Sequence, residues 1–469
     1  MRKIKGIYFL LATVLVSVGF NATSAEVTVE TGSNTLRTAI ADADAGDVLI
    51  LQDGIYTLSN PDLVIDKSLT IRAINKAATP RIYFLSGSNI PSILVQGADT
   101  DFILQGIYYY EGAGVTNQPR IEIEGAVNSV ALLENQFVSI DLAVNETTDA
   151  DGNRFVVNDL IIVGNRFGGH NGSLYNIGAK DNFLFAGNTV SYNSFYANTY
   201  GAEGNIIGNS FINNYRLMGL YRGYVGAYYR VIGNTFKQTL SRELNLSVSN
   251  DKYSMFLFDG SGSFSNNIVV QGDNPYNATG TPDSFQLLLL SGSTGSHWDI
   301  SNNTFDVKPT ALYDDSPVYE EAFKFSIPVT FENNIIVGNL QPTMFTLATS
   351  ETLLGSTFSN NLCFDNVATC ELDANKIEAD PKFVDDIDYV LDTGSPAIDA
   401  GIDSESTRDN DGSILDLGVH GGVFSYFQFE KQRTENTVEP YFYPLFEANT
   451  SLSTTGALKV KAVAIARLR

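Results

Sequence analysis

Positive charge is scarce in this sequence. Lys and Arg number 29 against 53 Asp and Glu, giving a formal charge of -24 and a pI near 4.4. Sequence-independent nucleic-acid binding and docking on an anionic membrane both need a basic face, so both are excluded as main roles. Ordinary solubility accounts for most of the acidity. After the N-terminus no stretch of about 18 apolar residues occurs, which leaves no candidate spanning helix. Cysteine is nearly absent. Cys363 and Cys370 bracket the polar loop FDNVAT and, in an exported chain, are expected to form one local disulfide. The other use of such a pair, metal binding, would need ligands, and no His is near.

The N-terminus carries the one membrane-directed signal. Arg2, Lys3 and Lys5 precede an apolar run from Ile7 to Phe20, followed by the small residues Thr23, Ser24 and Ala25. This is the pattern of a signal peptide cleaved before Glu26. The mature chain is therefore expected to be secreted or periplasmic, free of the membrane, monomeric, and more negative by the three lost cations.

Turn and strand residues fill the remainder: Gly 40, Tyr 23 and Phe 29, with Asn, Gly and Ser recurring as punctuation. From Glu26 to Phe84 the order reads strand, helix, strand, strand, with Leu36, Ala39 and Ile40 on one helical face. Beyond it a repeat appears in LLENQF, IIVGNRF, FLFAGNTV, IIGNSF, VIGNTF, FSNNIV, ISNNTF, FENNII and FSNNLC. Aligned on Asn135, Asn165, Asn188, Asn209, Asn234, Asn266, Asn303, Asn333 and Asn360, the copies lie 21 to 37 residues apart. Short β-runs at that period, without helix, fit one turn of a parallel solenoid, in which equivalent positions stack. The asparagines are expected to be structural, because Asn tolerates the left-handed conformation at a bend and stacked amides can bond along a ladder. The longer intervals must extrude insertions, and Asn145 to Phe155, Leu246 to Gly260 and Gln271 to Phe285 are expected to wall a groove.

Two stretches resemble a known architecture. The phrase from Gly46 through Asp47, Val48 and Gly54 to Tyr56, following the short helix, resembles the N-terminal cap of secreted right-handed parallel β-helix proteins of the pectin-lyase-like kind. The C-terminal pattern at Asp380, Pro381, Phe383, Tyr389, Leu391, Gly394 to Asp399, Gly401, Asp409, Asp411, Gly412, Asp416 and Gly418 resembles the end of many exported β-helix proteins, including relatives of polysaccharide lyases. The resemblance implies an all-β, single-stranded right-handed parallel β-helix over residues 26–425, with an N-terminal helical cap and a C-terminal β extension at 426–469. In that extension Lys459, Lys461, Arg467 and Arg469 read as edge protection.

Such β-helices commonly act on acidic, uronate-containing polysaccharides by β-elimination. That reaction needs a cation on the uronate carboxylate, a base for the proton beside it and an acid for the leaving oxygen. The stretch from Gly204 to Arg242 has five basic residues and no acidic one. Arg222 and Arg242 are the expected neutralisers, Lys252 the base, and Tyr221 or Tyr229 the acid. Tyr215, Arg216, Tyr224, Tyr228 and Arg230 are expected to bind substrate, since tyrosines also stack on sugar faces. His170, in a Gly-rich loop, is a further base candidate, while His297 and His420 read as structural. Architecturally the chain is similar to alginate lyases and chondroitinase-B-like lyases, yet it lacks their I-S-x-K-S-like and R-H-G phrases. The signatures of pectate lyases and polygalacturonases are absent too. A glycoside hydrolase would use paired carboxylates, for which Glu243, Asp251 and Asp259 are the candidates. A non-catalytic carbohydrate-binding protein is the third reading. Calcium is the only cofactor suggested: the turns at Asp149, Asp151, Gly152 and Asp409, Asp411, Gly412 are oxygen-rich, but neither has the distal Glu of a full calcium loop.

Overall fold

The computed structural model describes residues 24–59, 61–75, 77–85, 92–111, 119–148, 154–169, 172–199, 203–213, 218–222, 228–238, 253–271, 285–293, 295–307, 322–338, 345–347, 354–365, 370, 372–404, 408–409, 411–422, 441–445 and 461–465. Within them the chain winds as a parallel β-helix in the right-handed sense favoured by twisted parallel crossovers. Three all-parallel sheets form its sides. Sheets 1 and 2 have 13 strands each and sheet 3 has 11. One coil takes a strand from each: Ser194–Thr199 in sheet 3, Glu203–Ile207 in sheet 1 and Ser210–Ile212 in sheet 2.

Alternation along each strand sends every second side chain inward. Because consecutive coils pair in register, like residues stack into continuous inner columns. In sheet 2 one column runs Tyr56, Ile82, Tyr109, Phe137, Phe167, Val190, Phe211, Phe236, Val269, Phe305, Ile336 and Cys363. Phe211 and Phe236 stack with ring centroids 4.8 Å apart. Burying each such ring contributes about 2 kcal/mol. The column ends at Cys363, which is bonded to the buried Cys370, so the expected disulfide closes the last described coil.

At the other end the helix Thr35–Asp42 covers the first coil with Leu36 and Ile40. Asp47 accepts hydrogen bonds from the Ala25 N–H at 2.8 Å and the Asp44 N–H at 2.9 Å, which hold its carboxyl below the usual range. The Tyr56 hydroxyl donates to the Val29 carbonyl at 2.9 Å. These bonds explain the cap phrase read in the sequence.

Between sheets 1 and 2 runs the asparagine ladder. It passes through Asn135, Asn165, Asn188, Asn209, Asn234, Asn267, Asn303, Asn334 and Asn361. Each side-chain oxygen accepts from the backbone N–H and the amide of the preceding rung, and each amide also donates to a carbonyl of the preceding coil. Three expected rungs, Asn266, Asn333 and Asn360, are displaced by one residue. In the Asn-Asn coils the second residue is the rung, while the first takes the left-handed turn, with φ of 53°, 57° and 55° at those three positions. In coils with one Asn the residue before it takes that turn: Gly164, Gly187, Gly208 and Gly233, and Glu134 ahead of Asn135, with φ of 54°. The two properties expected of one asparagine are thus divided between neighbours.

The first asparagines of the pairs grip the C-terminal segment. Asn266 donates to the carbonyls of Val419 and Gly421, Asn302 to Asp416 and Asn360 to Ala400, while the Asn333 oxygen accepts from the Ile402 N–H. Residues 383–419 thereby cover the outer face of sheet 2, where Ile268, Ile335 and Leu362 pack against Tyr389, Val419, Ala397 and Leu417. His420 fits the structural reading: its Nε2 donates to the Asp388 carbonyl at 2.7 Å, and burial lowers its pKa. The turn at Asp409 and Asp411 is also spent internally, on the N–H groups of Asp416 and Ser413.

Two expectations about insertions need revision. Tyr253–Asp259, placed in a wall loop, is a strand of sheet 3, and Asn145 to Phe155 contains a small antiparallel hairpin, Thr147–Thr148 with Arg154–Phe155. Of the third insertion, residues 272–284 lie outside the described residues, as do Asp149, Asp151, Gly152 and nearly all of the leader. The extension contributes a hairpin, Tyr441–Leu445 with Lys461–Ile465.

Candidate functional site

The described residues of the tyrosine- and arginine-rich stretch are divided between two sheets. Met218–Arg222 belongs to sheet 3 and Tyr228–Ile232 to sheet 1, so the chain turns a corner within the expected cluster. On sheet 1 Tyr229 points inward. It is fully buried, and its hydroxyl donates to the Tyr221 carbonyl at 2.6 Å, which removes it as a general acid. Arg230 is 8% exposed and forms a two-pronged ion pair with Glu203, so its charge is already used. Its guanidinium lies 5.7 Å from the centre of the Tyr228 ring, whose hydroxyl is pushed up chiefly by burial and then by the Asp299 charge. His297 faces outward on the same sheet, with Nε2 3.1 Å from Asp299 Oδ1 and 2.9 Å from Thr330 Oγ1.

Sheet 3 carries the candidate site. One outward column runs Val64, Leu94, Glu122, Ala143, Tyr175, Tyr196, Gly219, Leu257, Leu289 and Lys324. Tyr175 is 46% exposed. A register shift between Leu174 and Ile177, with Asn176 at φ 52°, turns Tyr175 and Asn176 both outward. Bulges of this kind often re-aim a side chain at a site. The rings of Tyr175 and Tyr196 are parallel within 1° and 5.7 Å apart, and Tyr196 lies 6.0 Å from Tyr221. Parallel rings that far apart are offset like roof tiles, as aromatic pairs prefer, so each leaves part of its face open. Gly219 makes the overlap possible: a Cβ there would sit 2.7 Å from Tyr196 Cδ1 and 3.1 Å from Tyr221 Cε2.

The platform leads to one edge of the sheet. Tyr221 and Arg222 end their strand, paired with Asn198 and Thr199. Asp259 ends the neighbouring strand and is next in register to Tyr221, one step past the Leu220 and Phe258 pair. Lys252 precedes Tyr253 at the opposite end of that strand. With Met218 paired to Phe256, Tyr253 and Arg222 are seven residues apart along the strands, about 23 Å at ~3.3 Å per residue. The side chain of Arg222 and the whole of His170, Tyr215, Arg216, Tyr224, Arg242, Glu243, Asp251 and Lys252 lie outside the described residues.

At the other end of the platform are carboxylates. Arg120 lies 3.3 Å from Glu122 and 3.6 Å from Asp141, and the Ser173 N–H donates to Asp141 at 3.0 Å. Burial raises the Asp141 pKa, with Arg120 opposing it. Sequence reasoning missed Tyr175, Tyr196, Asp141 and Glu122. The tyrosines did carry a signal: Tyr175, Tyr196 and Tyr221 each stand 13 residues before a rung, Asn188, Asn209 and Asn234. Among the described residues no group of three or more His, Cys, Asp or Glu is arranged to hold a metal ion, and no helix is long and apolar enough to cross a membrane.

No family profile matches the sequence, and no curated protein matches it. Among solved structures, the pectate lyase Pel9A is similar at 12% identity and TM-score 0.38, over 85% of this chain and 97% of that one. A PL6 alginate lyase in complex with a trisaccharide is similar at 14% identity and TM-score 0.31, over 75% of this chain and 88% of that one. The PL6 family alginate lyase AlyGC is similar at 12% identity and TM-score 0.36, over 83% of this chain and 58% of that one. The fold assignment rests on the strand pairing above and not on these likenesses.

Proposed function

We propose that the protein, exported after loss of residues 1–25, binds a polysaccharide along the outer face of sheet 3 and cleaves it at a uronate by β-elimination. The observation that carries this is the Tyr175, Tyr196 and Tyr221 platform, which leads to the edge where Arg222 and Asp259 end their strands. Offset tyrosines suit the apolar faces of successive sugar rings. In the reaction Arg222 neutralises the uronate carboxylate and Asp259 removes the adjacent C5 proton. The electron pair becomes the C4–C5 double bond, the C4–O bond breaks, and Tyr221 gives its proton to the leaving oxygen. A hydrolase reading needs a second carboxylate facing Asp259; its register neighbours Tyr221 and Ser291 carry none, and the other candidates, Glu243 and Asp251, lie outside the described residues.

The test incubates the mature protein with alginate, pectate, ulvan and glycosaminoglycans, with and without calcium, and follows the ultraviolet absorbance of the unsaturated product. Turnover that is lost in Arg222→Ala and Asp259→Asn, with binding retained, supports the mechanism. Absence of product on every polymer overturns it. If binding to one of them still depends on Tyr175, the non-catalytic binding reading, which rests on the same platform, takes its place.

A further inference from the structure

Next to the platform, sheet 3 has a notch whose chemistry differs from that of the cleavage edge. Ala143 stands between Glu122 and Tyr175 in the outward column, so a small side chain separates a carboxylate from an exposed ring. On the Ala143 strand, two residues to either side, are Asp141 and Asn145. Glu124 lies beside Asn145 on the neighbouring strand and is exposed. Glu122 and Asp141 thus share one guanidinium, Arg120, and Glu124 adds a third carboxylate farther along the strand. The notch is one strand from Tyr175 and three from the strand of Arg222, about 14 Å at ~4.8 Å per strand. A polymer that starts at Arg222, crosses the tyrosines and continues one strand beyond Tyr175 would reach it.

We infer that the polysaccharide is a heteropolymer whose unit at Ala143 carries no carboxylate and presents hydroxyl or ammonium hydrogen-bond donors, unlike a homopolyuronate, whose every unit adds a carboxylate to its hydroxyls. The ring of that unit rests against Tyr175 while its donors reach Glu122 and Asp141. Both acceptors are suited to donors and opposed to a further carboxylate. This inference rests on the placement of the polysaccharide along sheet 3 proposed above. A uronate held about 5 Å from one exposed carboxylate loses roughly fourfold in affinity at the dielectric of water, so two such contacts cost about tenfold or more.

The experiment is calorimetric titration of the mature protein with hexasaccharides of three kinds at low salt: homopolyuronate from alginate or pectate, uronate alternating with a neutral or N-acetylated sugar, and uronate alternating with a free amino sugar. Either alternating hexamer is expected to bind about tenfold more tightly than the homopolyuronate. Glu122→Gln combined with Glu124→Gln is expected to narrow the gap by improving homopolyuronate binding. The neutral and amino arms identify which donor is used. Equal or tighter binding of the homopolyuronate, still weakened by Tyr175→Ala, overturns the inference and leaves the proposed binding face standing. Sugar binding indifferent to both Tyr175→Ala and Tyr196→Ala overturns the binding face itself.

Discussion

Replacing Asn209 by Ala tests whether the asparagine ladder holds the coils together. Asn209 is fully buried. Its oxygen accepts from the Asn188 N–H at 2.8 Å and the Asn188 amide at 3.1 Å, and its own amide donates to the Phe185 carbonyl at 2.8 Å and the Asn234 oxygen at 2.9 Å. Not all four losses count equally. The Asn188 amide keeps the Ile162 carbonyl, and the Asn234 oxygen keeps the Asn209 N–H. The Asn188 N–H is left buried without its acceptor, a cost of about 1–3 kcal/mol, and the Phe185 carbonyl loses a donor worth about 1 kcal/mol. With the small void added, the expected loss is about 4 kcal/mol. Asn209→Leu fills the void but restores no bond, so it should remain close to that value. The control is Asn128→Ala, which removes one exposed side-chain bond to Asp101 and should cost under about 1 kcal/mol. Urea unfolding followed by circular dichroism reads the midpoint and slope. Because solenoid coils contact mainly their neighbours, hydrogen exchange should show the loss concentrated around residues 182–238. If Asn209→Ala were no more costly than Asn128→Ala, the ladder would be a by-product of stacking and not a source of stability.

Gly219→Val should wedge Tyr196 from Tyr221, lowering polysaccharide affinity as far as Tyr196→Ala does while the far-ultraviolet dichroism stays unchanged. Replacing Cys363 and Cys370 by Ser opens a short loop, the two lying seven residues apart; loss of about 2.5 kcal/mol is expected from chain entropy, seen as a lower urea midpoint that reductant reproduces in the parent protein. The Asp47 carboxyl is held below its usual range in the folded state, so its contribution is present above the ordinary Asp pKa of about 3.9 and is lost as pH falls toward and through the lower folded value. The protection factors of the amides at Glu26–Val29, measured against the intrinsic exchange rate at each pH, should therefore fall on acidification in that window, and Asp47→Asn should remove most of the dependence.

The fold was legible because its two strongest signals are periodic. Apolar alternation and recurring asparagines survive insertions of varying length, since each coil must return to the same corner. What misled was adjacency. In Asn266-Asn267 and Asn333-Asn334 the repeat does not say which residue is the rung, although the Gly-Asn copies at 164–165 and 208–209 show that the turn comes first. The site failed for a related reason. On a three-sided solenoid, residues close in sequence diverge in space: Tyr221 and Tyr228 lie on different sheets, and Tyr229 faces the core. Residues one coil apart converge, as Tyr175, Tyr196 and Tyr221 do. Charge contrast along the sequence draws attention to Arg222, but it does not point to Asp141 or Glu122, whose neighbours come from strands 20 or more residues away.

The change from Gly-Asn to Asn-Asn corners divides the solenoid into a half of free length and a half of fixed length. Where Gly187 or Gly208 makes the turn, removal of one whole coil rejoins two equivalent rungs and shortens the platform by one tyrosine. Where Asn266, Asn302, Asn333 and Asn360 make it, each coil is also a numbered station for the returning chain between Ala400 and Gly421. A coil lost there would shift every later station past its partner. Growth and shortening of this protein, whether in evolution or at the bench, should therefore be accommodated between residues 135 and 234 and resisted from 266 onward.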